Sequence, residues 1–264
     1  MPDRILPCYV VCDESSSMAD HLADVGTGLR ALHGALLADP LVAGTARLCV
    51  IGFSETARIV TPLSAPDGEP AWRGPGSGTE TNFGVVFSLL RETIQRDVEV
   101  LQAESCVVYR PVVFFLSDGQ PTDPGLWPAA HARLADRAWP ARPRIVAFGI
   151  GDADRATIGR IGTHRAYLST GEASPREAVR VFASTLTSTV VAAGRSGDVD
   201  LPRQVTGFTA LETGLPGRRP AEGRHGGVPR HRSGFRPGAG TEPRAEETRD
   251  HHGPQHDAEH RLRG

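Results

Sequence analysis

The chain contains no lysine, because all 29 of its Lys and Arg residues are arginines. Any mechanism that needs a lysine amine, such as the phosphate clamp of a P-loop or a Schiff base, is therefore excluded. An excess of one charge is also lacking, since the formal net charge is -2 over 264 residues. This balance predicts neither nucleic-acid binding nor membrane binding.

Cysteine and long apolar runs are scarce as well. The chain has four cysteines and no CxxC pair, and Cys8, Cys12 and Cys49 fall in apolar runs typical of buried strands, while Cys106 lies just before one. We therefore expect buried free thiols and not disulfides or a zinc site. Free thiols in turn favour a reducing compartment. No apolar run reaches the roughly 18 residues of a membrane span, and no signal-peptide cleavage pattern follows the first residues. We therefore expect a cytoplasmic protein without a membrane segment.

Strand patterns alternate with helix patterns over about the first 190 residues. Short apolar runs predict strands at residues 5–12, 47–53, 57–63, 111–116, 145–150 and 166–168. Apolar stripes at three- and four-residue steps predict helices that begin near residues 22, 83, 127, 155 and 175. The alternation predicts an α/β fold, with a doubly wound, mainly parallel sheet and helices on both faces. Pro62 predicts that residues 57–63 form one antiparallel edge strand.

The composition changes near residue 194. Residues 1–194 are expected to form the folded domain, and residues 195–214 a possible docking segment that still holds Leu201, Val205 and Phe208. Residues 215–264 are rich in Gly, Pro, Arg and His with few apolar side chains, which predicts a disordered tail. Six of the ten histidines lie in this tail, but acidic residues interleave with its arginines. Nucleic-acid binding by the tail therefore ranks low.

Polar side chains follow the first predicted strand at the point where it ends. Asp13, Ser15 and Ser17 occupy alternate positions there, Thr81 precedes the long helix near residue 83, and Asp118 follows the strand at 111–116. Because ligands bind at the carboxyl edge of such sheets, we expect these five side chains to converge. Their oxygens suit Mg²⁺, Mn²⁺ or Ca²⁺ and suit zinc poorly.

The pattern D-x-S-x-S, then T, then D resembles the metal-ion-dependent adhesion site of von Willebrand factor A domains, which have a Rossmann-like fold. The resemblance covers about residues 5–192 and is greatest to the cytoplasmic bacterial tellurium-resistance (TerY-type) proteins. It implies that Ser15, Ser17 and Thr81 are neutral hydroxyl ligands of a divalent cation. It also implies that Asp13 and Asp118 bind the cation directly or through water and hold the hydroxyls in place.

What the resemblance implies about function is a non-enzymatic, metal-dependent protein-binding module. An open coordination position on the cation would accept an Asp or Glu side chain of a protein partner. Phosphatase-like or kinase-like proteins of a bacterial chemical-stress system are the partners that the TerY-type resemblance suggests.

Two positions depart from the family pattern. Ser16 stands between the two serines where many family members have glycine, and Thr79 competes with Thr81 for the threonine position. Thr81 is preferred because the residues after it open a helix in the family manner. The alternative for Thr81 is a plain helix N-cap.

Two other functions fit parts of the pattern. Asp13, followed later by Asp118 and Asp123, is similar to the carboxylates of a haloacid-dehalogenase-type phosphatase, whose first Asp is a nucleophile. Against this reading, residue 15 is Ser where that family has a second Asp, and the lysine of that family is absent. The other alternative is a metal-independent interaction scaffold whose polar loops only cap helices. A phosphatase assay tests the first alternative, and melting with and without Mg²⁺ tests the second.

Overall fold

The computed structural model describes residues 2–66, 78–172 and 174–213. The predicted tail at residues 215–264 and most of the loop at residues 64–80 lie outside these ranges. The described elements are, in chain order, β1 (Arg4–Asp13), a 3-10 turn (Ser16–His21), α1 (Leu22–Leu37), α2 (Pro40–Thr45), β2 (Ala46–Phe53), β3 (Ala57–Ser64), α3 (Phe83–Ala103), β4 (Val107–Val108), β5 (Val112–Ser117), α4 (Trp127–Leu134), β6 (Arg144–Gly149), α5 (Arg155–Ile161), β7 (Arg165–Ser169), α6 (Pro175–Ser196) and β8 (Phe208–Ala210).

The strands form one sheet in the order β3-β2-β1-β5-β6-β7-β8, with β4 beside the start of β1. Strands β2, β1, β5, β6 and β7 run parallel, whereas β3 pairs antiparallel with β2. The predicted doubly wound, mainly parallel sheet with an antiparallel edge strand is therefore confirmed. A second antiparallel pair, β7 with β8, lies at the other edge. The sequence did not predict β8, because three residues are too short to display an alternating pattern.

Helices cover both faces of the sheet because successive strand residues point to opposite sides. On β1, Cys8, Val10 and Cys12 pack in a cluster with α1 and α6, while Tyr9 and Val11 pack with α3, α4 and α5. Burial on both faces explains why β1 is an unbroken apolar run rather than an alternating one.

The segment after α6 packs on the same core as the sheet. Gly197 ends α6 in the left-handed conformation, with φ +74°, where a glycine carries no steric penalty. Leu201, Val205 and Phe208 are buried in the cluster that also contains α1 and α6. Phe208 lies edge-on to Phe148 of β6, with 5.4 Å between ring centroids. The apolar residues noted in this segment are thus part of the core.

The cysteines are free thiols, as predicted. Cys8, Cys12 and Cys49 are buried, and Cys106 is half-buried. Burial raises the pKa of Cys8 to about 12, which keeps the thiol protonated and unreactive at neutral pH. Among the described helices, none is both long enough and apolar enough to cross a membrane.

Candidate metal centre

The candidate site lies where the carboxyl ends of β1 and β5 meet. Cys12 of β1 is in register with Leu116 of β5, so the next residues, Asp13 and Ser117, end these strands side by side. The chain leaves β1 toward the α1 face and leaves β5 toward the α4 face. In open α/β sheets a crevice forms where two neighbouring strands lead to helices on opposite faces, and ligands bind there.

Asp13 is fully buried at the end of β1. Its Oδ2 accepts a 2.5 Å hydrogen bond from Ser117 Oγ, and its Oδ1 accepts a 2.9 Å hydrogen bond from the Ser15 amide. Both carboxylate oxygens are therefore oriented by neighbours, and the second bond fixes the turn that presents the Ser15 hydroxyl.

A run of hydrogen-bonded oxygens links the first loop to the loop after β5. Ser15 Oγ lies 3.1 Å from Ser17 Oγ, and Ser17 Oγ donates a 2.9 Å hydrogen bond to Asp118 Oδ1. Ser15 is buried, Ser17 is exposed and Asp118 is half-buried, so the middle residue of the run is accessible to solvent. Residues more than 100 positions apart in the chain thus present three oxygens to one place.

Thr81 lies beside the loop that carries Asp118. A Cβ atom built on Gly119, the residue after Asp118, would lie 3.4 Å from Thr81 Oγ1. The hydroxyl of the buried Thr81 is therefore within contact distance of the loop that carries Asp118. The rival Thr79 is held elsewhere, because its amide and hydroxyl both donate to Glu55 Oε1, at 3.1 and 2.9 Å.

The plain-cap interpretation of Thr81 is wrong. Helix α3 begins at Phe83, its N-cap residue is Asn82, and no N-cap side chain bonds to the helix amides. The amides of Phe83 and Gly84 donate instead to the two carboxylate oxygens of Asp123, at 3.0 and 2.7 Å. The sequence pattern indicated Asp123 only as a carboxylate of the phosphatase-like alternative. No local pattern reveals a cap that comes from 40 residues away.

Ser16 is tolerated in place of glycine because its backbone needs no left-handed conformation. Among the described residues other than glycine, only Ser105 has a positive φ. The Ser16 amide donates a 2.9 Å hydrogen bond to the Gly78 carbonyl, which joins the first loop to the segment that leads to Thr81.

The two carboxyl groups at the site both resist ionisation. Burial raises the pKa of Asp13 to about 6; the hydrogen bonds from Ser117 and Ser15 oppose this rise, and the nearby Asp118 charge adds to it. Burial also raises the pKa of Asp118, against the hydrogen bond from Ser17. A divalent cation at this place would supply the positive charge that favours ionised carboxylates.

The donor set fits a hard cation. In the part of the chain that the structure describes, no group of three or more His, Cys, Asp or Glu side chains is arranged to hold a metal ion. The five candidate residues instead carry two carboxylates and three hydroxyls, and such oxygen donors suit Mg²⁺, Mn²⁺ and Ca²⁺.

Comparisons with known proteins concern the fold. The sequence matches no family model and no curated protein sequence. Proximal thread matrix protein 1 from the mussel byssus superposes with a TM-score of 0.51 and 16% identity, over 72% of this chain and 49% of that one. The von Willebrand factor type A protein from Catenulispora acidiphila gives a TM-score of 0.50 and 15% identity, over 71% of this chain and 43% of that one. The chain has the von Willebrand factor A fold.

The pilus adhesin SpaC from Lactobacillus rhamnosus GG has the same kind of similarity, with a TM-score of 0.55 and 13% identity over 71% of this chain and 30% of the adhesin. The chain therefore spans half or less of the length of these structures. Another structure of the mussel protein, with a TM-score of 0.50 and 15% identity, is described as having a zinc-occupied metal-ion-dependent adhesion site. At these identities the von Willebrand factor A likeness concerns the fold.

Proposed function

We propose that this chain is a metal-dependent protein-interaction module with Asp13, Ser15, Ser17, Thr81 and Asp118 around one divalent cation. The observation that carries the proposal is the run of oxygens from Ser15 through Ser17 to Asp118, above the buried Asp13. Two separate segments, the loop after β1 and the loop after β5, supply these atoms, and capping of local helices does not require that they meet.

The charge of the donor set suggests what the site binds. Two carboxylates only balance the charge of a divalent cation, and the three hydroxyls add none. The cation therefore remains able to attract a further anionic ligand at a solvent-facing position, and an Asp or Glu side chain of a partner protein has that charge. Mg²⁺, Mn²⁺ and Ca²⁺ are the expected ions, and the zinc-occupied mussel protein makes Zn²⁺ a fourth ion to test.

The position of Asp13 favours binding over phosphatase chemistry. A nucleophilic carboxylate has to reach the phosphorus atom of a substrate, but Asp13 is fully buried and both of its oxygens already accept hydrogen bonds. We therefore keep the Mg²⁺-dependent hydrolase as an alternative to be tested and do not propose it.

The biological setting that we propose rests on the sequence resemblance alone. The TerY-type resemblance suggests a cytoplasmic protein of a bacterial chemical-stress system, with phosphatase-like or kinase-like partners that present an acidic side chain. Capture of partners from a bacterial lysate with Mg²⁺ and with EDTA, followed by mass spectrometry, tests this setting.

Thermal unfolding of Asp118→Ala tests the metal site itself. Mg²⁺ at about 100 times its Kd should stabilise the wild type by about 2.7 kcal/mol, which corresponds to about 5–10 °C in Tm for a domain of this size. Asp118→Ala should lose this shift, because Asp118 supplies one of the two carboxylates in the proposed donor set. Glu104→Gln is a matched control, since Glu104 is exposed and follows the far end of α3.

Three results would contradict the proposal. An equal Mg²⁺ shift in Asp118→Ala would remove the proposed ligand. No shift in the wild type with any of the four ions would favour the metal-independent scaffold. Release of phosphate from a generic phosphomonoester, lost in Asp13→Asn, would favour the hydrolase.

A further inference from the structure

Asp123 is a buried residue whose carboxylate binds the segment that follows the proposed Thr81 ligand. Its two oxygens accept hydrogen bonds from the amides of Phe83 and Gly84. The neighbouring Thr122 makes two more bonds to Thr81: its Oγ1 accepts from the Thr81 amide at 3.2 Å, and its amide donates to the Thr81 carbonyl at 3.0 Å. Residues 122 and 123 thus hold the backbone on both sides of Thr81 and Asn82.

The same two residues end the loop that begins with Asp118. This loop is short, and the Thr81 hydroxyl lies close to its Gly119. The Gly119 amide donates to Ser117 Oγ at 3.2 Å, and Ser117 Oγ donates in turn to Asp13. The distance between Thr81 and Asp118 is therefore set by the loop that Asp123 fastens to the start of α3.

The fit around Asp123 is tight. A Cβ atom built on Gly84 would lie 2.6 Å from Asp123 Oδ2, which is closer than nonbonded atoms approach. Only a glycine at position 84 lets the carboxylate reach the helix amides. The negative charge also lies at the N-terminal end of the 21-residue helix α3, where the helix dipole favours it.

We propose that Asp123 is a positioning residue that fixes the spacing of the Thr81 and Asp118 oxygens and thereby makes the site prefer Mg²⁺ over Ca²⁺. The physical reason is that Mg²⁺ requires a nearly ideal octahedron at about 2.0–2.1 Å, whereas Ca²⁺ accepts 6–8 oxygens at about 2.3–2.6 Å in flexible geometry. A site whose two donor loops are fastened together can meet the first requirement. This inference rests on the proposed metal site.

Asp123→Asn tests the proposal by calorimetric titration with MgCl₂ and with CaCl₂. The side-chain amide can accept from only one of the two helix amides, so the Thr81 segment gains freedom while the volume stays the same. We expect the Kd for Mg²⁺ to rise about 10- to 100-fold, as for other groups that orient metal ligands, and the Kd for Ca²⁺ to rise less than about 3-fold. A purely structural role would lower Tm but weaken both ions equally.

Gly84→Ala reaches the same carboxylate without changing it. The added methyl group displaces Asp123 from the helix amides, so Mg²⁺ should again be weakened more than Ca²⁺. Gly34→Ala in α1 is the matched control, because a Cβ there meets no atom within 4 Å. It should leave both Kd values unchanged.

The outcomes separate this inference from the metal site on which it rests. If the wild type binds neither ion, the proposed metal site fails. If the wild type binds Mg²⁺ and both Asp123→Asn and Gly84→Ala keep the wild-type Mg²⁺/Ca²⁺ ratio, only the role of Asp123 fails. Urea unfolding of each variant shows that the protein titrated is folded.

Discussion

Replacement of Asp13 by Asn should stabilise the metal-free protein and abolish its response to metal. Asp13 is fully buried, and Asn has nearly the same shape without the charge. The Asn Oδ1 atom can accept from the Ser15 amide as Asp13 Oδ1 does. Its Nδ2 group can donate to Ser117 Oγ, which has a second lone pair for the bond from Gly119. The exchange therefore removes a charge and reverses the direction of the hydrogen bond with Ser117, whose hydroxyl hydrogen loses its acceptor at residue 13.

The size of the effect follows from the pKa of Asp13. Burial raises this pKa from 3.8 to about 6, and a difference of about two pH units corresponds to about 3 kcal/mol. In EDTA at pH 8 the variant should therefore be up to about 3 kcal/mol more stable than the wild type. With Mg²⁺ at about 100 times Kd the wild type recovers about 2.7 kcal/mol and the variant recovers almost nothing, so the two should become nearly equal.

The pH dependence of stability tests whether the buried Asp13 charge destabilises the metal-free protein. The pKa of Asp13 is higher in the folded state than in the unfolded state. The contribution of Asp13 to the free energy of unfolding is therefore largest below about pH 4 and is lost as the pH rises through 6. The metal-free wild type should therefore lose stability between about pH 4 and pH 7 relative to Asp13→Asn. Above about pH 7 the difference between the two proteins should be constant.

Urea unfolding in EDTA and in Mg²⁺, at pH 4.5 and pH 8, measures the four free energies of unfolding of each protein. A variant less stable than the wild type in EDTA at pH 8 would refute the reasoning, because the buried charge would then not be the dominant cost. A variant that keeps the Mg²⁺ stabilisation would show that Asp13 does not support the cation.

Two further changes test the packing that holds the site, both by urea unfolding. Gly28→Ala should cost about 1–3 kcal/mol, because the added Cβ would lie 2.4 Å from Ala183 Cβ where α1 meets α6; a stability equal to that of Gly34→Ala would contradict this contact. Tyr9→Phe should cost about 1–3 kcal/mol, because the Tyr9 hydroxyl donates to Asp97 Oδ2 at 3.1 Å inside the protein. A cost below about 0.5 kcal/mol would mean that Asp97 finds another donor.

The sequence was most informative where local chemistry decides the outcome. The unbroken apolar run before Asp13 predicted a strand buried on both faces, and β1 is such a strand. An apolar stripe predicted a helix that begins near residue 175, and α6 begins at Pro175, with Ser174 Oγ accepting from the Glu177 amide. These signals depend on neighbouring residues, so a single sequence contains them.

The sequence was less informative where the partner is distant along the chain. Asp123 was predicted only as a carboxylate of the phosphatase-like alternative, and its contact with the amides of α3 depends on how β5 and α3 pack. Strand β8 was missed because its pairing with β7 is decided by the burial of Phe208 and by no pattern of its own. The preference for Thr81 over Thr79 is supported by a tertiary contact, because the Thr79 hydroxyl donates a hydrogen bond to Glu55.

The amino-acid sequence by itself determined which side chains stand at the ends of β1 and β5, since strand and helix patterns arise from local periodicity. Only the tertiary structure decided that Ser17 and Asp118 come within hydrogen-bonding distance and that Asp123 fastens the Thr81 segment to the same loop. The physical reason is that the order of strands in a sheet is fixed by burial of both its faces, a property of the whole chain that no short stretch of residues encodes.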